Sequence, residues 1–321
     1  MTKDFLFSYD DICLIPKYSF LESRSEADTS VSFLGKKWRL PIIPANMQDV
    51  ISWDIADRLQ TNDYFYIMHR FDGSNLKMPS KMKAGMDTKL ISISIGVNEE
   101  SKKEFSDLIE DGVVPNVITI DVAHGFHKKV KEMIEWIKIH YPSKYIPKII
   151  VGNVATSDGY KFLSDLGVDA IKVGIGGGSI CTTFHKTGFH VPTAYSIWDC
   201  VNNRGRRNTP IIADGGIKYF GDIVKALVLG ADMTMSGKLF AECLDSPAQI
   251  RQGKKIYRGS TSYEAKGHNN HVEGQMIEIS EGSTYVDRLE EINQSIQSSV
   301  SYAGGSNLKA FSSVQWELVH S

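Results

Sequence analysis

Short apolar, β-branched runs recur along almost the whole chain and constrain its fold more than any other feature. They begin near Leu40 (LPIIPANM), Tyr64 (YFYIMHRF), Leu90 (LISISIGV), Val117 (VITIDVAHG), Lys148 (KIIVGNVA), Ala170 (AIKVGIG), Pro210 (PIIADGG) and Met233 (MTMSGKL). Helical patterns separate several of them. Val130, Met133, Ile134 and Ile137 fall at i, i+3, i+4 and i+7, one apolar stripe. The run from Ile223 to Leu229 stops at Gly230, a residue suited to the position just past a helix. An internal echo supports repeated units: Leu166-Gly167-Val168-Asp169 leads into the sixth run and Leu229-Gly230-Ala231-Asp232 into the eighth. Continuous apolar strands alternating with helices imply a parallel sheet covered on both faces, and eight such units imply a closed α/β (β/α)8 barrel. An open doubly wound sheet is the alternative.

The bulk numbers fit one such barrel over residues 1–321. The composition is that of a globular protein, 42% hydrophobic and 23% charged. A net charge of −2 speaks against a nucleic-acid partner. The four cysteines, Cys13, Cys181, Cys200 and Cys243, are widely spread with no CxxC pair, which suits a reducing compartment and suggests neither a disulfide framework nor a zinc site. With no signal-like segment after Met1 and no apolar stretch near the ~20 residues that span a bilayer, a cytoplasmic location without a membrane partner is expected.

A barrel of this kind carries its active site at the C-terminal ends of its strands. Those ends read Asn46-Met47-Gln48, His69-Arg70, Asp121 to Gly125, Asn153, Gly176 to Cys181, Asp214-Gly215-Gly216 and Ser236-Gly237-Lys238. The sixth run opens Gly174-Ile175-Gly176-Gly177-Gly178-Ser179-Ile180-Cys181-Thr182-Thr183. A glycine loop brings backbone N–H groups together, and oriented amides beside a cysteine favour its thiolate. The same residues also permit a glycine turn followed by a small buried cysteine. Two interruptions break the strand rhythm: about thirty residues follow Cys181 before the next run, and Leu244 to Tyr285 forms a polar insertion. Long rim loops are commonly lids or functional insertions.

GGGSICTT after a barrel strand, IIADGG on the next, SRSEADTSV, PANMQ, FYIMHRFD, ITIDVAHG, HVEG and SSVSYAGG together resemble the inosine-monophosphate dehydrogenase/GMP reductase family over essentially the whole chain. The reductase side is the better match. Dehydrogenases of the family usually carry a CBS-domain pair after the second strand, for which there is no room here. They also bear an Arg-Tyr pair in the flap, where this chain reads Ser260-Thr261-Ser262-Tyr263-Glu264-Ala265.

The resemblance implies NADPH-dependent reductive deamination of GMP to IMP through a cysteine thioimidate. Cys181 matches the nucleophile, and Thr183 with Glu273 the pair that moves protons. Asp214 matches the carboxylate on the ribose hydroxyls; Ser179, Gly216 and Gly237 match the phosphate cradle, and Gly215 and Lys238 are placed beside them as substrate-binding residues. Ser260, Thr261 and Gly274 match base-side contacts from the flap. Arg70 and Asp121, Val122 and Ala123 match dinucleotide contacts. So do Ser23, Arg24, Ser298, Ser299, Val300 and Ser301, which come from a neighbouring subunit and imply a homotetramer. Backbone carbonyls of Gly176, Gly178 and Cys181 match a potassium site.

The chain also departs from the family pattern. Gly177 replaces a usual proline, Phe184 to His190 alters the segment after the catalytic loop, and Lys238 stands where Gly or Ser is usual. A dehydrogenase lacking CBS domains and a catalytically silent nucleotide-binding homologue are the competing readings. The intact Cys181, Thr183 and Glu273 set opposes the second.

Overall fold

The computed structural model describes residues 5–80, 90–141, 147–259, 262 and 273–319. Its centre is one parallel sheet of β1 (Ile42–Pro44), β2 (Ser92–Ile95), β3 (Val117–Asp121), β4 (Lys148–Val154), β5 (Ala170–Val173), β6 (Ile211–Asp214) and β7 (Met233–Ser236). The ladder runs β1-β7-β6-β5-β4-β3-β2, so the last strand pairs with the first, as in a barrel (Thr234 opposite Ile42). Every residue of β2, β5 and β7 is buried, Ser92, Ser94, Lys172, Thr234 and Ser236 included, so both faces of these strands are covered although β2 and β7 alternate apolar and polar residues.

The run at Tyr64 takes the second stave's place without forming a ladder strand. Met68 N–H donates to Ser92 O at 3.0 Å, Ser94 Oγ donates to Met68 O at 2.7 Å, and Tyr66 Oη donates to Leu90 O at 2.6 Å. Side-chain hydroxyls thus take over part of what a backbone ladder does elsewhere, and Phe65, Tyr66 and Ile67 remain fully buried.

The outer ring comprises α1 (Trp53–Thr61), α2 (Glu99–Glu110), α3 (Lys128–His140), α4 (Ser157–Asp165), α6 (Thr193–Asn202) and α7 (Phe220–Val228), with a short α5 (Thr183–Thr187) before α6. Ser52, Asn98 and Thr156 cap α1, α2 and α4 by accepting backbone N–H groups of the first turn. The stripe Val130, Met133, Ile134 and Ile137 is the buried face of α3. After β7 come α8 (Lys238–Ala241), an antiparallel three-stranded sheet of β8 (Ile250–Arg251), β9 (Lys254–Arg258) and β10 (Met276–Ile279), and the long α9 (Tyr285–Tyr302). No described helix is long and apolar enough to cross a membrane.

The sequence echo is a repeated structural clamp. Asp169 N–H donates to Ile149 O at 2.8 Å while its carboxylate accepts Ile149 N–H at 2.9 Å. Asp232 does the same to Ile211, at 2.9 and 2.8 Å. Each Leu-Gly-x-Asp turn therefore pins the start of the neighbouring strand and fixes register before the ladder begins. Ile211 is fully buried, so Asp232→Ala strands its N–H without an acceptor. The expected loss is roughly 1–3 kcal/mol of unfolding free energy. It is read from a lowered urea midpoint at unchanged denaturant slope, and a change under about 0.5 kcal/mol would contradict the clamp.

Candidate active site

Six strand ends and the Tyr64 stave supply the lining of one cavity of 230 Å³ at the barrel mouth. They contribute Asn46 and Met47, Arg70, Asp121 to Ala123, Asn153, Gly174 to Cys181 in part, Asp214 with Gly215, and Gly237. From the insertion come Tyr257, Gly259, Glu273 and Gly274. Gly174 has φ +144° and packs so closely on the Asp214 carbonyl that any Cβ there would collide with it. Only glycine lets the catalytic loop leave β5 along this path.

The insertion returns to the barrel as an antiparallel seam against the cysteine loop. Cys181 and Gly274 form a bridge, Thr182 N–H donates to Glu273 O at 2.8 Å, and Gln275 N–H donates to Ile180 O at 3.0 Å. This seam brings together side chains ninety residues apart: Thr183 Oγ1 donates to Glu273 Oε2 at 2.6 Å, and Cys181 Sγ donates to Thr183 Oγ1 at 3.2 Å. Thiol, hydroxyl and carboxylate thus form one directed chain from a nucleophile to a base. Cys200 and Cys243, by contrast, are fully buried; burial pushes the Cys243 thiol up to about 12 and that of Cys200 up as well.

At the cavity floor lies a charge network joining the predicted Asp121, Asp214 and Arg70 through Lys172, which the sequence reading did not assign to the site. Lys172 on β5 is 2% exposed, with Nζ 2.9 Å from Asp121 Oδ1, 3.1 Å from Asp214 Oδ2 and 3.3 Å from Asn46 Oδ1. Burial pulls the Lys172 ammonium down, but Asp121 and Asp214 outweigh it and hold the group firmly charged. For Asp121, burial pushes up while Lys172 and Arg70, whose Nε is 3.9 Å away, bring its carboxyl below the usual range. Asn153 Nδ2 donates to Asp214 Oδ2 at 2.8 Å and to Gly174 O at 2.7 Å. A lysine inside an otherwise apolar strand was the available signal. His69 on the second stave is held down to about 4, chiefly by burial against the opposing pull of Asp72 and Asp49, and is neutral at pH 7.

The remaining predicted residues divide by place. Gly237 opens α8, and a Cβ there would collide with Tyr257 Oη, so the Tyr257 hydroxyl points at the start of that helix. Tyr257 was not singled out from sequence because it lies in the polar insertion. Lys238 Nζ pairs with Glu242 Oε1 at 2.9 Å, and Lys238, Ser179 and Gly216 do not line the cavity around Cys181. Ser260 and Thr261 lie outside the described residues. Ser23, Arg24 and Ser298 to Ser301 are likewise absent from that lining. Ser23 caps the turn at Arg24, Arg24 Nη1 donates to Ser298 Oγ at 3.4 Å and its guanidinium lies over the Tyr302 ring at 5.4 Å. Ser299 Oγ donates to Ser295 O at 2.8 Å, Ser301 and Ser19 share a hydroxyl contact of 2.9 Å, and the Val300 side chain is fully buried in the core. With its side chain on the inner face of α9, Val300 presents only its backbone to the surface side of this segment. In the turn from Gly176 to Cys181, Gly178 O accepts Cys181 N–H at 3.0 Å. Such carbonyl oxygens are the donor type that hard cations take.

A second cavity of 510 Å³ adjoins the first and shares Ala123, Ile175, Thr183 and Glu273 with it. Phe126, Val154, Phe189 and Val191 make its walls largely apolar, suited to a flat ring presented edge-on to the Thr183–Glu273 pair.

Lys172→Met would leave Asp121 and Asp214 without their shared cation, an expected cost of about 3–5 kcal/mol at pH 7. In the wild type, the Asp121 contribution is present above the unfolded carboxylate range and is lost as pH falls through its depressed folded value. Without Lys172 the folded value rises, so protonation relieves the variant first and the stability gap narrows on acidification. Urea unfolding of both proteins at pH 7.5 and 4.5 checks this; an unchanged gap would refute the network.

Comparison with known proteins agrees with this arrangement. Residues 6–317 match the IMP dehydrogenase / GMP reductase domain. The chain is 42% identical to the GMP reductase of Staphylococcus epidermidis over 319 residues, covering 98% of this chain and 96% of that protein. It is also 42% identical to the GMP reductase of Oenococcus oeni over 323 residues (98% and 97%) and 41% identical to that of Staphylococcus carnosus over 321 residues (98% and 96%).

Proposed function

The chain belongs to the IMP dehydrogenase / GMP reductase family, and from that premise we propose that it is an NADPH-dependent GMP reductase, forming IMP and ammonia. The observation that carries this reading is the Cys181–Thr183–Glu273 chain of hydrogen bonds at the junction of two cavities.

The Cys181 thiol proton passes toward Glu273 through Thr183, and the sulfur adds to C2 of the purine. Glu273 returns a proton through Thr183 to the exocyclic nitrogen, so that the C2–N bond breaks with ammonia leaving and a thioimidate remaining on Cys181. NADPH, when bound, supplies the hydride that replaces sulfur at C2. Cys181 then leaves as thiolate and IMP is released. The seam at Thr182 and Gln275 keeps Glu273 over the sulfur throughout. Asp214, oriented by Lys172 and Asn153, accepts the ribose hydroxyls, and the amides of Gly216 and Gly237 with Ser179 receive the phosphate, while the Gly215 N–H is held by Met235 O. Lys238 adds its charge when it leaves Glu242. Ser260, Thr261 and Gly274 complete the base side from the insertion.

Arg70 and Asp121 to Ala123 face the dinucleotide from the same copy, with its ring in the apolar cavity. Ser23, Arg24, Ser298, Ser299 and Ser301, remote from the Cys181 lining, meet the dinucleotide of a neighbouring copy in a homotetramer. Carbonyls of Gly176, Gly178 and Cys181 hold a potassium ion that braces the loop. The reading includes a single barrel domain without CBS domains, a role in purine nucleotide interconversion and a cytoplasmic location.

Purified protein is expected to consume NADPH with GMP and to release one ammonia per NADPH, followed at 340 nm with an ammonia assay. Reduction of NAD by IMP to give XMP at a comparable or faster rate would establish the dehydrogenase instead. Cys181→Ser is expected to abolish turnover while GMP binding persists, because a serine hydroxyl is scarcely ionised near neutral pH. Glu273→Gln keeps the shape of the seam and is expected to slow ammonia release by roughly 10²–10⁴-fold.

A further inference from the structure

The cysteine loop and the turn after β6 approach each other through glycines, and one of these contacts holds two idle donors. A Cβ on Gly177 would collide with Thr193 Oγ1 and lie 3.3 Å from the backbone N of Gly216. Thr193 is the first residue of α6 and is 3% exposed; its hydroxyl is buried with no hydrogen-bond partner among the described residues. The Gly216 N–H likewise donates to no backbone carbonyl there. The Tyr9 ring closes the far side, since a Cβ on Gly216 would sit 3.3 Å from its Cε2. On the near side, Gly176, Gly178 and Gly215 line the cavity around Cys181.

A buried hydroxyl without a partner costs roughly 1–3 kcal/mol. Two unpaired donors brought together where the bare Cα of Gly177 packs on them, one residue from the cavity lining at Gly176, Gly178 and Gly215, call for an acceptor oxygen, and an anionic one binds most strongly. We infer that Thr193 is a further phosphate-binding residue: its O–H and the Gly216 N–H donate together to one oxygen of the nucleotide's phosphate, and a side chain on Gly177 would displace that hydroxyl. The inference rests on the purine-nucleotide reading and adds to it a residue sixteen positions beyond the glycine it serves. It also gives the departure at Gly177 a purpose, because a proline ring there would collide with the Thr193 hydroxyl.

Calorimetric titration with GMP and with guanosine, alongside thermal unfolding, tests this on the whole protein. Thr193→Val keeps the shape and deletes the hydroxyl. It is expected to weaken GMP binding about tenfold, as loss of one hydrogen bond to a charged group does. Guanosine affinity should stay unchanged, and the unfolding midpoint should hold or rise because an unpaired hydroxyl has gone. Thr193→Ser is expected to retain GMP binding. Gly177→Ala should weaken GMP binding as well; Gly177→Ala with Thr193→Ala relieves the collision and is expected to bind no worse than the weaker single variant, as two changes at one shared oxygen must.

Wild-type GMP affinity in Thr193→Val overturns the inference. So does an equal loss toward guanosine, which lacks the phosphate, or a lowered unfolding midpoint with unchanged affinity, which would make the hydroxyl structural. If the wild type itself binds no GMP, the nucleotide reading falls together with the inference; if it binds GMP and Thr193→Val binds it equally, the inference falls alone.

Discussion

The seam between residues 180–182 and 273–275 is the constraint on which the site depends. Two backbone hydrogen bonds, Thr182 N–H to Glu273 O and Gln275 N–H to Ile180 O, join a strand-end loop to the return of a distant insertion. Each is an ordinary bond worth roughly 0.5–1.5 kcal/mol net. Their consequence is larger than their energy, because they fix the backbone on both sides of the Thr183–Glu273 contact. A carboxylate on a free loop would sample many positions; anchored by its own carbonyl one residue from the bridge at Gly274, it has one. The same anchoring makes the insertion part of the active site rather than a cover over it.

The insertion is in turn tied down at its root. Arg258 at the end of β9 pairs with the buried Asp49 just beyond β1, and its backbone N–H donates to the same carboxylate at 2.7 Å. Lys255 on the same strand is fully buried and donates to Leu244 O at 3.1 Å and Ser246 Oγ at 2.7 Å, with Cys243 O also in contact. Burial lowers the affinity of this ammonium for its proton, yet oxygen acceptors surround it. Both cations are spent on architecture, whereas Lys172 orients two carboxylates that face the cavity. Charge inside this protein is therefore placed where a loop must be held or a carboxylate must be aimed.

Much of the fold was legible because its physics is local. Strands covered on both faces carry β-branched and other apolar residues at close intervals, so the runs at Leu90, Ala170 and Met233 announced themselves even with Ser92, Ser94, Lys172, Thr234 and Ser236 buried among them. The Leu-Gly-x-Asp echo carried register information in four residues. The cysteine loop stood out by its own glycine run, whereas Thr183 and Glu273 were reached by resemblance to a family, since nothing in their spacing says that a loop at 183 and an insertion at 273 meet. The Tyr64 stave looked like any other run, yet its neighbours are met through side-chain hydroxyls, which periodicity does not report. Lys172 was visible as a charge in a strand, but its two partners lie 51 and 42 residues away in opposite directions along the chain. The pairing of Ile12–Leu14 with Trp316–Leu318 joins the two ends of the chain and leaves no local mark. Thr193 gave no signal at all, because its meaning comes from the missing side chain of Gly177.

The central claim is that Cys181 holds the purine as a covalent intermediate that water does not readily remove. The most direct measurement runs the reaction backwards, mixing the protein with IMP and NADP in the absence of ammonia. The account predicts a burst of one NADPH per active site that then stops. Mass spectrometry should place an adduct on the peptide carrying Cys181, and added ammonia should discharge it as GMP. Continued turnover to XMP without ammonia, or a purine adduct on any residue other than Cys181, would contradict it.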